Sequence, residues 1–347
     1  VIIREALSYD DVLLVPKYSD IVSRSEVDIA TSLSPDMICE FPVISAPMDT
    51  VTEGSMAIAM AEAGGLGIIH RYNSIEYQRQ ICKAAVRNWH PWIPRFLGAA
   101  IGVTGDYLER AAELVSVGVP ILCLDIAHGH HILMKEAIEK IKSEYDVHVM
   151  AGNVATKKSF EDLSRWGADS IRVGIGGGST CSTRVQTGHG VPAFQSILDC
   201  FRADTKRDVK IIADGGIRTS GDMVKAFAAG ADFVMIGSML AGTTESPGES
   251  FVNIDGDRVK NYRGMSSKEA QLNWRGSVGS HEGISTSIPF KGPIEPILEE
   301  IKKGIRSGFS YSGATSILEL QVNAEFVVQT SSGLVESRTH ILDRFNG

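Results

Sequence analysis

Short apolar runs rich in Val and Ile recur along the chain, each closed by Gly, Asp or Asn and followed by a longer stretch with apolar residues at helical spacing. The runs that read as strands are Pro42–Ala46, Leu66–His70, Phe96–Ile101, Pro120–Asp125, Val147–Ala151, Ser170–Val173, Val209–Ala213 and Phe233–Ile236. Between them, Tyr107–Val115, Ile132–Ser143, Lys158–Trp166 and Asp222–Ala229 predict helices, and Glu295–Arg306 predicts an amphipathic helix packed by one face. This rhythm predicts an α/β fold, a closed (β/α)8 barrel of parallel strands. A doubly wound open sheet is the competing architecture, although it usually has fewer strands.

In a barrel of this kind the chemistry sits on the loops that follow the strands. Polar and glycine-rich punctuation falls at those places: Ser45–Thr50 after the first strand, Asp125–His130 after the fourth, Gly152-Asn153 after the fifth, Asp214–Ile217 after the seventh and Gly237-Ser238 after the eighth. Small residues after the seventh and eighth strands suit a phosphate cradle, so a phosphorylated ligand is expected. After the sixth strand comes Gly174-Ile-Gly-Gly-Gly-Ser-Thr-Cys181. Its glycines let backbone N–H groups approach a phosphate and deliver a thiol beside it, which makes Cys181 a candidate nucleophile. A small buried filler residue is the alternative reading of that cysteine.

Residues Ala241–Gly292 break the rhythm and are too long for an ordinary βα loop, so they read as an active-site cover, with a solvated insertion as the alternative. Within them His281-Glu282 offers an imidazole and a carboxylate for proton transfer. His128, His130 and His131 crowd one loop without a carboxylate at ligand spacing, which points to a substrate or surface role and not a metal site. Trp89, Trp92 and Trp274 read as loop anchors or interface residues.

Composition narrows the class. The 347 residues are 43% hydrophobic with a formal net charge of −8, which suits a globular protein and argues against a nucleic-acid surface. No apolar run is long enough to span a membrane, and a cytoplasmic location is the expectation. Five cysteines lack CxxC spacing, so reduced thiols are expected in place of a zinc site or a disulfide framework.

Tyr9–Pro16, Ala46–Val51, Gly64–Gly67, Ala151–Val154, the cysteine loop, Ala213–Gly216 and Tyr262–Met265 together resemble the landmarks of the IMP dehydrogenase/GMP reductase family. The resemblance covers nearly the whole chain and implies one catalytic barrel over residues 1–347, with 241–292 as its flap and no inserted regulatory domain. It implies that Cys181 attacks C2 of a purine nucleotide monophosphate, that Thr183 and Glu282 handle protons, and that hydride passes between C2 and a nicotinamide. Met48, Ser179, Asp214, Gly215, Gly216, Gly237, Ser238, Tyr262, Gly264, Met265 and Ser266 match positions that hold substrate. Asp125, Ala127, Asn153 and Arg172 match positions near the cofactor. The carbonyls of Gly176, Gly178 and Cys181 match a possible potassium site, and the family implies a homotetramer.

Two activities share these landmarks. The dehydrogenase oxidises IMP to XMP with NAD and must hydrolyse a covalent thioimidate, for which water is activated by an Arg followed by Tyr on a long flap. The reductase uses NADPH to convert GMP to IMP and ammonia. Here the interval from Met265 to Glu282 is short and holds Asn273-Trp-Arg-Gly276 with no Arg-Tyr pair. Met265-Ser-Ser267 and Ser23-Arg-Ser25 also lean towards GMP reductase, and the short passage from His70 to Phe96 does so modestly. Asp125–Gly129, Gly64–Gly67 and Gly333–Ser337 look more like IMP dehydrogenase. GMP reductase is the favoured expectation, with IMP dehydrogenase as its alternative and a non-catalytic nucleotide-binding homologue as a minor one.

Overall fold

The computed structural model describes residues 1–87, 97–205 and 208–337. Its centre is a closed barrel of eight parallel strands, β4 (Val43–Ser45), β5 (Leu66–Ile69), β6 (Leu97–Ile101), β7 (Ile121–Asp125), β8 (His148–Val154), β9 (Ser170–Val173), β10 (Lys210–Asp214) and β11 (Phe233–Ile236). Strands neighbour one another in chain order, and the ring closes where Val234 pairs with Val43. Around it lie α1 (Gly54–Glu62), α2 (Ile75–Arg87), α3 (Tyr107–Ser116), α4 (Ile132–Glu144), α5 (Lys157–Trp166), the short α6 (Thr183–Thr187), α7 (Ala193–Phe201) and α8 (Ser220–Ala228). The barrel expected from the sequence is therefore the one observed.

Both faces of these strands are buried, which is why they read as apolar runs without alternation. Ile44, Ile68, Ala100, Cys123, Met150, Ile212 and Met235 belong to one buried cluster that fills the lumen. Their sequence neighbours, such as Val43, Ile69, Leu122, Val149 and Val234, belong to a second cluster shared with the helices. Two of the units repeat a Gly-Ala-Asp signature at the end of the barrel opposite the site. Gly167 and Gly230 close α5 and α8 at φ 113° and 114°, and Ala168 and Ala231 are fully buried. Asp169 and Asp232 then accept the N–H of the second residue of β8 and of β10, Val149 and Ile211, each at 2.8 Å.

The outer elements are shorter and more polar. β1 (Val12–Leu14) pairs antiparallel with β15 (Phe326–Val328), and β2 (Thr31–Ser34) pairs with β3 (Met37–Cys39). Residues 241–292 fold into an antiparallel sheet of β12 (Phe251–Val252), β13 (Arg258–Arg263) and β14 (Ser285–Pro289), with helix α9 (Lys268–Arg275) between the last two. Helix α10 (Glu295–Tyr311) runs five residues past the expected Arg306. Its Gly304 and Gly308 sit directly against Ser220 and Val224 of α8, so they serve close helix packing and do not end the helix. Trp89 and Trp92 lie outside the described residues, whereas Trp274 is on α9.

Candidate active site

The cysteine loop leaves β9 at Gly174, whose φ is +147°; a Cβ there would stand 1.9 Å from the Asp214 carbonyl, so only glycine lets this loop pass the end of β10. The loop then carries Cys181, the one exposed cysteine among five, to the start of α6. The Cys181 thiol donates to Thr183 Oγ1 at 3.1 Å, and the Thr183 hydroxyl donates to Glu282 Oε2 at 2.7 Å. Two residues separated only by Ser182 in the chain and one from a distant segment thus form a single hydrogen-bonded line. Backbone bonds hold that segment in place: Ser182 N–H to Glu282 O at 2.8 Å, Ile284 N–H to Thr180 O at 3.0 Å and Glu282 N–H to Ser266 O at 3.1 Å. His281, the other proton-transfer candidate beside Glu282, is exposed.

Two cavities flank this line. The smaller, of about 130 Å³, is lined by Met48, Ser179, Asp214, Gly215, Gly216, Gly237, Ser238 and Tyr262, all expected at the substrate. The Tyr262 hydroxyl lies 3.1 Å from Ser179 Oγ, and burial raises its pKa, so it stays a proton donor at neutral pH. Gly264, Met265 and Ser266 line neither cavity. Gly264 packs on Thr180, Met265 Sδ accepts the Asp49 N–H at 3.3 Å, and Ser266 offers its carbonyl to Glu282. Arg218, overlooked in the sequence, lines the same cavity and pairs with Asp10. Its signal was a cation immediately after the Asp214–Ile217 turn.

The larger cavity, of about 540 Å³, is bordered by Thr183 and Glu282 and walled by Ala127, Val154, Ala155, Ile175 and Val191. His128 and His130 stand at its edge. Burial first, then the imidazoles of His130, His131 and His189, keep His128 below the ordinary histidine range, while burial and Lys158 do the same for His130. His130 is also tied to Asp162 at 2.9 Å and stacks on Trp166. These rings are neutral near pH 7, so the cavity suits a flat, weakly polar group.

Asp125, Asn153 and Arg172 form a network with one another's partners at the end of the barrel. Arg172 donates to Asp214 Oδ2 through Nη2 at 2.8 Å and Nε at 3.1 Å, and to Asp125 Oδ1 through Nη1 at 2.5 Å. Asn153 Nδ2 donates to the same Asp214 oxygen at 2.7 Å. Two carboxylates facing one another across this space would repel; the guanidinium between them makes their burial tolerable, and, outweighing the effect of burial, Asp214 and Asp125 in turn hold Arg172 well above its ordinary pKa. Among the described residues no His, Cys, Asp and Glu group of three or more could hold a metal ion. The glycine-loop carbonyls are a separate matter: that of Gly178 accepts the Cys181 N–H at 3.0 Å, while those of Gly176 and Cys181 receive no backbone donor from the described residues.

Comparison with known proteins agrees with this geometry. Residues 6–340 match the sequence model of the IMP dehydrogenase / GMP reductase domain. Inosine-5'-monophosphate dehydrogenase of Borreliella burgdorferi is 39% identical, with 98% of each chain covered. GMP reductase of Leishmania major is 33% identical, again with 98% of each covered. A solved GMP reductase variant from Trypanosoma brucei, in complex with guanosine 5'-monophosphate, superposes with a TM-score of 0.91 at 32% identity, covering 97% of this chain and 98% of that one. With the barrel, the thiol and the flanking cavities in place, the chain belongs to the IMP dehydrogenase/GMP reductase family, oxidoreductases that act on purine nucleotides.

Proposed function

We propose that this protein is a GMP reductase, and the observation that carries the reading is the unbroken line from Cys181 through Thr183 to Glu282. Cys181 attacks C2 of GMP held in the smaller cavity. Thr183 and Glu282 pass a proton to the 2-amino group, which leaves as ammonia when the C2–N bond breaks, and C2 stays bonded to sulfur as a thioimidate. When bound, a nicotinamide cofactor, NADPH in this reading, would supply the hydride to C2. The C2–S bond then breaks, IMP departs and the sulfur leaves as thiolate. Ala127, Val154 and Ile175 would hold a nicotinamide against the pair; Asp125, Asn153 and Arg172, engaged with Asp214, would fix the floor beside it. The undonated carbonyls of Gly176 and Cys181 fit a potassium ion, and Gly178 has a second lone pair to add.

Dehydrogenase chemistry would require activation of water at the same adduct. Between Met265 and Glu282 the only arginine is Arg275, exposed at the last turn of α9 and followed by Gly276. The alternative, oxidation of IMP by NAD, is favoured by the identity to dehydrogenases noted above and would need Arg275 as base. By family resemblance we place the protein as a homotetramer of single-domain chains. The decisive experiment assays GMP with NADPH against IMP with NAD, following reduced nicotinamide by absorbance. Rapid NADPH oxidation yielding IMP is expected, with at most slow XMP formation. Many turnovers to XMP, stopped by Arg275→Ala while hydride transfer persists, would replace this reading with the dehydrogenase.

A further inference from the structure

Glu282 can serve Thr183 only while its loop is held against the cysteine loop, and two side chains of α9 bear on that. Gln271 is buried and spans the base of the segment. Its Nε2 donates to Ser266 O at 3.0 Å and to Ser280 O at 2.9 Å, and its Oε1 accepts the Gly279 N–H at 2.9 Å. The Ser266 carbonyl is also the acceptor for the Glu282 N–H, so Gln271 and Glu282 meet at one atom. Three residues on, and so on the same face of the helix, Trp274 rests against the barrel. Its ring centre is 5.7 Å from that of Tyr72 and 5.6 Å from the Arg110 guanidinium. Arg110 makes a rigid seat: it is 2% exposed and donates to Gln78 Oε1, Asp106 Oδ2 and Asn73 O at 2.8, 2.8 and 3.0 Å.

A helix of eight residues does not hold its shape or place in water without tertiary contacts. We propose that Gln271 and Trp274 are positioning residues that act through Glu282: Trp274 seats α9 on Tyr72 and Arg110, and Gln271 transmits that placement to the carboxylate. The inference rests on Glu282 as the proton-handling group, and its test separates the two. Trp274→Ala is expected to lower kcat with GMP and NADPH by roughly tenfold or more while leaving KM for GMP within about twofold, because nucleotide contacts come from other loops. Trp274→Phe, which keeps an aromatic face, should recover most of the rate. On a Glu282→Gln background Trp274→Ala should cost nothing further.

A second readout needs no turnover. The other four cysteines are buried, so iodoacetamide should label Cys181 selectively. The curve of labelling rate against pH for Trp274→Ala, and for Gln271→Ala, should coincide with that of Glu282→Gln and depart from the wild type. A wild-type protein that fails to oxidise NADPH with GMP would sink the functional reading and leave this arm intact. Additive losses in the double variant, or a wild-type labelling curve in Trp274→Ala, would overturn the positioning role.

Discussion

Cys181 differs from the other four cysteines in physical circumstance more than in sequence. Burial pushes the Cys39, Cys82 and Cys123 thiols up to about 12, out of reach of neutral pH, whereas Cys181 is exposed and faces Thr183. Its removal should therefore separate chemistry from binding. Cys181→Ala is expected to abolish turnover by at least about a thousandfold, since the proposed mechanism forms its C2–S bond through this thiol. GMP should still bind with near wild-type affinity by calorimetry, because Cys181 itself does not line the small cavity, whose walls are Gly177–Thr180 and residues from the other loops. Turnover surviving in this variant would end the covalent mechanism. The same contrast explains what the sequence could disclose: Cys181 stood out because four glycines precede it, a local signal. Trp274 read only as a loop anchor or interface residue, and Arg110, Tyr72 and Gln271 did not stand out, because their partners become visible only when segments distant in the chain are packed together.

At the scale of elements, the barrel strands were legible because burial on both faces demands continuous apolar residues, and the lengths were too short for helices. Their ends were less so. β8 continues three residues past the expected Ala151, because Gly152 still pairs with Arg172 and Val154 with Val173, with a register shift between them. The outer strands β12, β13 and β14 escaped notice: residues such as Lys260, Asn261 and Ser285–Ser287 give no apolar run, and the sheet is defined by pairing alone. One glycine in the core makes an element-level claim testable. In β5 a Cβ on Gly67 would lie 2.5 Å from Ala57 Cα and 2.8 Å from its Cβ, so α1 rests on the strand only because that side chain is missing. Gly67→Ala should destabilise the protein by about 1–3 kcal/mol through overpacking, read as a lower urea midpoint with unchanged slope. An unchanged midpoint would mean that α1 moves away freely and that this contact does not fix its position.

For the molecule as a whole, the two ends of the barrel carry different electrostatic burdens. The end with the loops holds the ion network that supports the site. The opposite end holds His148, the first residue of β8, 5% exposed and 2.8 Å from Ser170 Oγ. Burial, partly opposed by Asp169 and reinforced by Lys142, pushes its pKa down to about 4. A histidine depressed in the folded state is neutral there, while the unfolded chain takes up a proton below about 6.5. Its contribution is therefore fully present above pH 6.5 and lost as pH falls towards 4, with a total on the order of 3 kcal/mol. Asp232, also at this end, runs the other way: burial raises it to about 6, so it favours the folded state as pH falls through 6 towards 3.8. The two partly cancel between pH 6 and 4, and wild-type stability alone would hide both. The difference between wild type and His148→Gln, which keeps a polar group for Ser170, removes the Asp232 contribution from the comparison. Urea midpoints should show the wild type losing stability relative to His148→Gln as pH drops from 7 to 4.5. A difference independent of pH would mean that His148 takes a proton in the folded barrel as readily as in the unfolded chain, and that Asp169 fully offsets burial.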